Sequence, residues 1–323
     1  MPFFLLLLLL LPGTVSAHEV LQDHMPFSRW LNAVRRDARG EGVSESVIED
    51  ALGGISPDEE VITLDGKQPE SQLTLHRYLA KIVTDKRVRQ GREMLARHRS
   101  LLERIGRKYH VQPRFVVALW GIETNYGGIT GNFSTIDALA TLAYEGRRTS
   151  FFRDELLDAL AILQQERMSS ANMTGSWAGA MGQCQFMPST FLKYAVDYNH
   201  DGKRDIWNDD ADAFASIANY LKSLGWNQRL GWGRAVKLPK HFNRGLTGVA
   251  QEKSLLAWRK LGVRKANGAP LPALDIPASL IFAGTGDDAA PYIVYGNYKV
   301  LLKWNRSRYF ATAVGMLADR IGG

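Results

Sequence analysis

The sequence of 323 residues contains a single cysteine, Cys184, which excludes a fold held together by disulfide bridges. Its seven histidines show no metal-ligand spacing and none lies near Cys184, so the sequence indicates neither a zinc site nor a cysteine–histidine catalytic pair. No zinc-finger or RNA-recognition pattern and no internal repeat is present. Without disulfide bridges or a structural zinc ion, a chain of this length must be stabilised by a large apolar core.

Two glycine-rich segments lack the residues that would complete a known enzyme motif. Gly175-Ser176-x-x-Gly179 does not have the spacing of the nucleophile elbow of serine hydrolases. Gly284-Thr-Gly286 lacks the Lys-Ser/Thr pair that follows a phosphate-binding loop. These absences argue against a serine hydrolase and against a P-loop nucleotidase.

Charge is moderate, with a net value of +7, and we interpret it as spread along the chain. No clustered basic stripe indicates nucleic acid, and the basic residues between 71 and 109 are assigned to a solvated helix face. The positive balance suits a partner that is anionic or carries peptide carboxylates.

Residues 1–17 are typical of a secretory signal peptide, although no Lys or Arg precedes the apolar run at 3–11. Val15-Ser16-Ala17 resembles a cleavage site, which would start the mature chain at His18. No cysteine follows the run to carry a lipid anchor, and no later apolar run is long enough to cross a membrane. We therefore predict a soluble protein of the bacterial periplasm.

The hydrophobic periodicity predicts an α+β fold that is mainly α. We expect a mainly helical domain at 18–112, a helical core at 113–225, a small antiparallel β domain at 226–307 and a closing helix at 308–323. Within these segments we expect an extended piece at 61–64, helices at 71–85 and 87–109, and strands at 234–238, 278–283, 292–295 and 299–304.

The stretch 118–128 carries the most informative acidic residue, Glu123. Pro113 suits the first turn of a helix, and the residues that follow are apolar at helical spacing. Glu123 projects from the same apolar face, shortly before Gly127-Gly128 can end the helix. Loss of hydration favours the protonated form of a carboxyl, which a general acid requires. A glutamate that reaches solvent or pairs with an arginine is the alternative.

A second segment, 176–189, is rich in small residues and neutral polar groups. Ser176, Gln183 and Gln185 offer donors and acceptors that suit sugar hydroxyls and amides. The ring of Phe186 is a candidate for contact with a sugar ring, with core packing as the alternative. A tight helix–helix turn with ordinary polar capping would also explain this composition.

A third segment matches the Asp-x-Asn-x-Asp-Gly core of a calcium loop through Asp197, Asn199, Asp201 and Gly202. Oxygen ligands at alternate positions converge on one hard cation, and Lys203 would add its carbonyl. The twelfth position holds an amide rather than a glutamate, so the closing carboxylate must come from further along. A solvated acidic turn is the alternative.

Together with Trp-Asn-Arg-Ser at 304–307, these motifs resemble the B-type lytic murein transglycosylases over nearly the whole mature chain. The resemblance implies a lysozyme-like helical core with an EF-hand-like calcium loop at 197–212, an accessory helical domain and a small β domain. It implies cleavage of the MurNAc–GlcNAc β-1,4 bond of peptidoglycan during cell-wall turnover, which leaves 1,6-anhydroMurNAc ends. A structural calcium ion and no organic cofactor are expected.

The resemblance also assigns roles to individual residues. Glu123 matches the single catalytic acid/base, and the substrate contacts correspond to Ser176 and Gln185. Tyr220 matches an aromatic residue of the cleft, Asn305 matches the asparagine of a Tyr-Asn-x-Ser motif in which Trp304 replaces the tyrosine, and the pair that meets the peptide corresponds to Arg147 and Arg148. The metal ligands correspond to Asp197, Asn199, Asp201, the Lys203 carbonyl and Asp212. Expected partners are peptidoglycan glycan strands and other cell-wall enzymes. The protein is expected to be monomeric, with no nucleic acid and no membrane anchor.

No second acid shares the helix face of Glu123, which predicts a substrate-assisted mechanism in place of the two-carboxylate scheme. Glu123 would protonate the leaving oxygen, the N-acetyl group would stabilise the cationic carbon, and Glu123 would then deprotonate the 6-hydroxyl. A hydrolytic muramidase, which needs a second carboxylate, and a non-catalytic murein-binding scaffold are the alternatives.

Overall fold

The computed structural model describes residues 25–67, 73–284, 286 and 289–323. The predicted signal peptide and the predicted helix start at residue 71 lie outside these ranges. The described residues 25–67 and 123–217 form one compact unit, here unit 1, and 73–122 with 218–323 form a second, here unit 2. The four domain boundaries expected from the sequence stay predictions.

Helices dominate the described part of the chain. The helices are α1 (Phe27–Gly40), α2 (Glu45–Leu52), α3 (Glu59–Gly66), α4 (Leu75–Ile82), α5 (Asp85–Arg97), α6 (Arg99–Tyr109), α7 (Pro113–Thr124), α8 (Thr135–Glu145), α9 (Thr149–Glu166), α10 (Pro188–Tyr194), α11 (Asp210–Ser223), α12 (Leu255–Lys260), α13 (Gly296–Trp304) and α14 (Arg308–Gly322). The strands are β1 (Phe133–Ser134), β2 (Thr174–Gly175), β3 (Gly233–Lys237), β4 (Glu252–Ser254), β5 (Arg264–Lys265), β6 (Pro277–Ala283) and β7 (Ala290–Val294). No helix among these described residues is both long and apolar enough to span a membrane.

Unit 1 is built around α9, which packs against α1, α2, α8 and α10. Phe152, Leu156, Leu160 and Leu163 recur at helical spacing along α9 and are at most 1% exposed. This continuous apolar stripe gives the unit its core. The short strands β1 and β2 pair in antiparallel register beside it.

Unit 2 contains a five-stranded antiparallel sheet in the order β4-β6-β7-β3-β5. Trp258 of α12 packs with Leu280 and Ile293 in an apolar cluster, and all three are fully buried. The strands predicted near 234–238, 278–283 and 292–295 correspond to β3, β6 and β7. The mainly helical architecture with a small antiparallel sheet confirms the predicted α+β, mainly α, fold class.

Two of the predicted elements are wrong. Residues 61–64, expected to be extended, lie in α3, because the Asp58 carboxylate caps that helix by accepting from the amides of Glu60 and Val61. Residues 299–304, expected to be a strand, lie in α13. The buried Asn297 in its first turn bonds the Asn227 amide and carbonyl. A short apolar run does not by its periodicity distinguish a strand from a helix.

The helix expected at 87–109 is two helices, α5 and α6, which meet at His98. The imidazole of His98 makes an edge-to-face contact with Trp120, with ring centroids 5.8 Å apart. This contact lies within unit 2 and fixes the position of the junction.

Candidate active site

Glu123 is the last residue but one of α7, a helix whose preceding turns are buried. Its side chain is half-buried. Asn125, Tyr126 and Gly127 follow with φ values of 51°, 62° and 76°, so the chain reverses at once. Left-handed backbone at a non-glycine residue costs about 1–2 kcal/mol, and such strain clusters at functional sites. The helix therefore ends three residues before the predicted glycines.

Thr124 ties this helix end to the segment 176–189. Its side chain is 1% exposed, its hydroxyl donates to the Gln183 carbonyl at 3.1 Å, and its oxygen accepts from the Gly127 amide at 3.1 Å. The neighbouring residue, Glu123, thereby comes close to Cys184. Burial raises the pKa of the Cys184 thiol well above its usual value, and the charge of Glu123 raises it further. Cys184 is consequently an inert core thiol.

Gln185 projects one unsatisfied acceptor from a tight turn. The backbone of Met181 and Phe186 exchanges two hydrogen bonds, and Gln185 between them has φ of 50°. Its Nε2 donates to the carbonyls of Thr130 and Gly182 at 2.9 and 3.0 Å, which fixes the orientation of the amide. Its Oε1 is buried and has no hydrogen-bond partner in the described part of the chain. A buried acceptor of this kind is costly unless a water or a ligand group supplies a donor.

Ser176 closes the turn that precedes this segment. It is 1% exposed, and its hydroxyl oxygen accepts from the Ala180 amide at 3.1 Å. Two glycines permit close backbone approach here. A Cβ on Gly175 would lie 2.3 Å from the Ala180 carbonyl oxygen, and one on Gly131 would lie 2.0 Å from the Gly175 carbonyl oxygen. The turn is thus packed backbone against backbone.

Phe186 is 2% exposed. A ring that contacts a sugar must present a face to solvent, so of the two alternatives for Phe186 the structure favours core packing. Its assignment as a substrate contact is untested and stays a prediction.

The two arginines expected to meet peptide have different surroundings. The Arg147 guanidinium lies on Asp65, with Nε 3.4 Å from Oδ2 and Nη2 2.9 Å from the carbonyl oxygen. The side chain of Arg147 is 63% exposed and that of Asp65 is 11% exposed. Arg148 lies over the Phe152 ring, 5.1 Å from its centroid. Arg147 is therefore a positioned but accessible cation, whereas Arg148 packs on aromatic surface.

Tyr220, Trp304 and Asn305 lie together in unit 2. The rings of Tyr220 and Trp304 are 4.9 Å apart at their centroids, and the Tyr220 hydroxyl donates to the Lys303 carbonyl at 3.5 Å. Asn305 Oδ1 accepts from the Ser307 amide at 3.0 Å, at the start of α14. Trp304, which replaces the expected tyrosine, thus forms an aromatic pair with Tyr220.

The loop between α10 and α11 is closed by its own acidic side chains. The Asp197 carboxylate accepts from the amides of His200, Asp201 and Gly202. Asn199 donates to the Asp209 carboxylate at 2.9 Å. These bonds close the loop into a compact turn.

Asp212 joins the two ends of the same loop. Its carboxylate is fully buried and accepts from the amides of Tyr198 and Asp205 at 2.7 and 2.8 Å. Burial raises the pKa of Asp212 to about 6, with further contributions from the charges of Asp209 and Asp197, while the two amide bonds oppose the rise.

The fit of these residues to a metal can be judged from their chemistry. The carboxylates of Asp197 and Asp209 act on Asp212, and carboxylate and amide oxygens are the hard donors that calcium prefers. No group of three or more His, Cys, Asp or Glu side chains in the described ranges is arranged to hold a metal ion. The residue types suit calcium but their arrangement does not form a complete site, so the calcium and EF-hand assignments stay predictions.

Comparison with known proteins places the chain in a family. Residues 26–319 match the transglycosylase SLT domain. The chain belongs to this family. It is 33% identical to membrane-bound lytic murein transglycosylase B of Escherichia coli over 255 residues, which cover 76% of this chain and 66% of that protein.

Two crystal structures from this family show the same fold. SltB3 of Pseudomonas aeruginosa, in complex with NAG-anhNAM-pentapeptide, is 43% identical, with a TM-score of 0.88 over 93% of this chain and 80% of that one. Slt35 of Escherichia coli, in complex with calcium, is 28% identical, with a TM-score of 0.76 over 93% of each chain. These matches confirm the lysozyme-like helical core.

Sequence reasoning missed two residues that shape this site. Thr124 directly follows Glu123, and a small hydroxyl residue at a helix end was the available signal. Asp65 is 82 residues from Arg147, and nothing in the sequence links the two.

Proposed function

We propose that this protein is a lytic transglycosylase that cleaves the MurNAc–GlcNAc β-1,4 bond of peptidoglycan in cell-wall turnover. The observation that carries the proposal is the half-buried carboxyl of Glu123, held at the end of α7 by Thr124 beside the 176–189 segment. Membership of the family and the 43% identity to SltB3, whose structures contain NAG-anhNAM-pentapeptide and NAG-NAM-pentapeptide, support it.

The reaction needs one group that first gives and then takes a proton. Glu123 protonates the glycosidic oxygen as the bond from that oxygen to C1 of MurNAc breaks, and the N-acetyl oxygen stabilises the cationic carbon. The Glu123 carboxylate then removes the proton from the 6-hydroxyl, whose oxygen bonds to C1. The product is a 1,6-anhydroMurNAc end, the proton returns to Glu123, and no water is consumed.

Asp137 of unit 1 is poorly suited to be a nucleophile. Asp137 belongs to the first turn of α8, where its carboxylate bonds Ser134 and burial raises its pKa. Asp154 lies on α9. We therefore favour the substrate's own acetamido group over a second carboxylate as the partner of Glu123.

Substrate contacts follow from the polar atoms described above. The buried Gln185 Oε1 accepts a hydrogen bond from an acetamido N–H or a sugar hydroxyl. This bond would remove the free-energy cost of a buried acceptor that has no donor. The Ser176 hydroxyl accepts from Ala180 and can still donate its proton. The exposed Arg147 guanidinium binds a carboxylate of the stem peptide. The roles of Tyr220 and Asn305 as glycan contacts rest on the family resemblance alone.

We further propose that the 197–212 loop binds a structural calcium ion. Asp197, Asn199, Asp201, the Lys203 carbonyl and Asp212 would hold it, because a divalent cation would offset the repulsion among the loop carboxylates. The calcium complex of Slt35 supports this assignment. The ion would stabilise the loop and take no part in the reaction.

Export to the periplasm through residues 1–17 completes the proposal. The apolar run and the small-residue cleavage site support it, and peptidoglycan would meet the enzyme in that compartment.

Replacing Glu123 with Gln tests the enzymatic role against a scaffold role. We expect E123Q to lower kcat on purified sacculi by about 10²–10⁴-fold, because the amide neither donates nor accepts the required proton. E145Q, an identical change at an exposed position of α8, is the matched control and should keep full activity. Equal activity of E123Q and the wild type would contradict the proposal, provided that both melt at the same temperature.

A further inference from the structure

Charge is unevenly divided between the two units. The described residues of unit 2 hold 28 Lys and Arg residues but only 6 Asp and Glu residues. The described residues of unit 1 hold 12 Lys and Arg residues and 22 Asp and Glu residues. The described part of unit 2 thus carries a net charge of +22 (28 − 6) and that of unit 1 carries −10 (12 − 22), although basic and acidic stretches are spread along the chain.

Most cations of unit 2 cannot be neutralised within it. The described residues of unit 2 form ion pairs at Arg99–Glu103, Arg114–Asp319, Lys299–Glu252 and Arg320–Asp85. Even complete pairing of its six described acidic residues would leave most of its 28 Lys and Arg residues without a carboxylate from the same unit. A surface of this kind attracts and concentrates polyanions.

Four of these cations are exposed on α5 and α6. Lys86, Arg89, Arg97 and Arg107 are exposed, and their side chains make no hydrogen bond or ion pair with the described residues. Lys86 and Arg97 are eleven residues apart, close to three turns, so they lie on one side of α5. These long cationic side chains can bind an anion without first breaking a hydrogen bond or an ion pair, so the free-energy cost of reorienting them is small.

We propose that the basic surface of unit 2 is a second, non-catalytic binding surface for the stem-peptide carboxylates of peptidoglycan. This inference rests on the proposed function and names a further point of contact with the same substrate. Many weak contacts from an extended cationic surface would keep the enzyme on an insoluble polymer between cleavage events.

The distribution of side chains favours a polymer with spaced carboxylates over a lipid surface. The cations of unit 2 occur on helices, on strands and in loops, whereas a protein that inserts into a bilayer needs apolar side chains beside its cations. The large apolar side chains that are exposed among the described residues of unit 2 are Leu261 and Leu274. Peptidoglycan carries carboxylates at every stem peptide, at spacings that such a dispersed surface can follow.

The test compares two variants that remove four positive charges each, both in an E123Q background so that sacculi stay intact during binding. The variant K86Q/R89Q/R97Q/R107Q changes unit 2, and R29Q/R36Q/R167Q/K193Q changes exposed cations of unit 1. We expect the first to weaken binding to purified sacculi at low salt by about tenfold and the second by less than about twofold. Binding of the parent should fall steeply with added sodium chloride.

Three results would overturn the inference. The first is equal weakening by the two variants. The second is unchanged binding of the parent to sacculi whose stem peptides have been removed by an amidase. The third is a larger effect of the unit 2 variant on binding to phosphatidylglycerol vesicles than to sacculi, which would identify a lipid surface instead.

A separate measurement distinguishes failure of this inference from failure of the proposed function. In an otherwise wild-type background, the unit 2 variant should keep kcat on short soluble muropeptides within about twofold of the wild type, since these fragments are too small to need a second surface. If the wild type were inactive on such fragments, the proposed function would be contradicted, and the binding of the variants to sacculi would be judged separately.

Discussion

Glu123 lies at the carboxyl end of α7, and the position of this end is fixed by side-chain bonds. The partial negative charge of a helix C-terminus disfavours a second negative charge nearby. Partial burial acts in the same direction, because it removes water from the carboxylate. The proposed reaction uses Glu123 first as an acid, and a partly dehydrated position at a helix C-terminus suits that proposed role.

Thr124 should be essential to this arrangement although it touches no reacting atom. Replacement by Val keeps the shape but leaves the Gln183 carbonyl and the Gly127 amide without their partner. We expect T124V to lower the free energy of unfolding by about 1–3 kcal/mol. We also expect kcat on sacculi to fall at least tenfold, because small displacements of an acid cost rate steeply.

The matched variant T124S keeps the hydroxyl and should retain most of the wild-type free energy of unfolding and most of the wild-type kcat on sacculi. Urea unfolding and initial rates on sacculi measure the two effects. If T124V were as active and as stable as T124S, the link between α7 and the 176–189 segment would not position Glu123.

At this scale the sequence predicted the residues that stand in contiguous motifs. Glu123, Ser176 and Gln185 could be named because their neighbours in sequence are also their neighbours in space. The sequence left the choice between sugar contact and core packing open for Phe186, and it did not indicate the contact between Asp65 and Arg147. Both depend on tertiary packing between segments that are far apart in the chain.

Helix α10 is joined to α9 through a buried acid. Glu155 is 3% exposed and accepts from the Ser189 amide at 2.9 Å and from the Ser189 hydroxyl at 2.7 Å, at the first turn of α10. Burial raises the pKa of Glu155 above its ordinary value, and the two bonds from Ser189 only partly oppose this. The 176–189 segment ends at this junction, so Glu155 helps to fix it.

This raised pKa predicts a pH dependence of stability with a definite sign. The native state holds a proton on Glu155 more tightly than the unfolded chain does, so its contribution to stability is greatest below the unfolded pKa. That contribution decreases as pH rises from about 4.5 through the folded pKa. We expect the difference in unfolding free energy between E155Q and the wild type to shift in favour of E155Q across this window.

Urea unfolding of both proteins from pH 4 to 8 measures the difference, with the exposed E145Q as the control that should show no such trend. A difference that does not change with pH would show that Glu155 ionises in the native state as easily as in the unfolded one.

The elements themselves were predictable where one period dominates. A single hydrophobic periodicity, helical or alternating, extends over several turns of helices α9 and α14 and over several residues of strands β3, β6 and β7. Residues 61–64 and 299–304 are too short for periodicity to decide, and the bonds made by Asp58 and Asn297 decide instead. The cap at Asp58 was readable in the sequence, whereas the partners of Asn297 are 70 residues away.

At the scale of the whole molecule, the calcium ion proposed for the 197–212 loop should contribute to stability and little to chemistry. A ligand that binds only the folded state at a hundred times its Kd adds about 2.7 kcal/mol. We expect chelation by EGTA to lower Tm by roughly 5–10 °C, and added calcium to restore it. Initial rates well below Tm should stay within about twofold. An unchanged Tm after chelation would contradict the assignment of the loop as a metal site.

The charge asymmetry belongs to the same scale and was hidden from the sequence for a simple reason. Each unit is assembled from two separate segments, so basic and acidic stretches alternate along the chain and their sum is only +7. The division appears once the fold shows which segments belong together.

The measurement that tests the central claim most directly is the mass of the products released from sacculi in water enriched in ¹⁸O. The account predicts muropeptides with 1,6-anhydroMurNAc ends, one water lighter than reducing ends and free of ¹⁸O, because the 6-hydroxyl of the substrate attacks C1. Reducing MurNAc ends that carry ¹⁸O would show that water is the nucleophile, and would contradict the role assigned to Glu123.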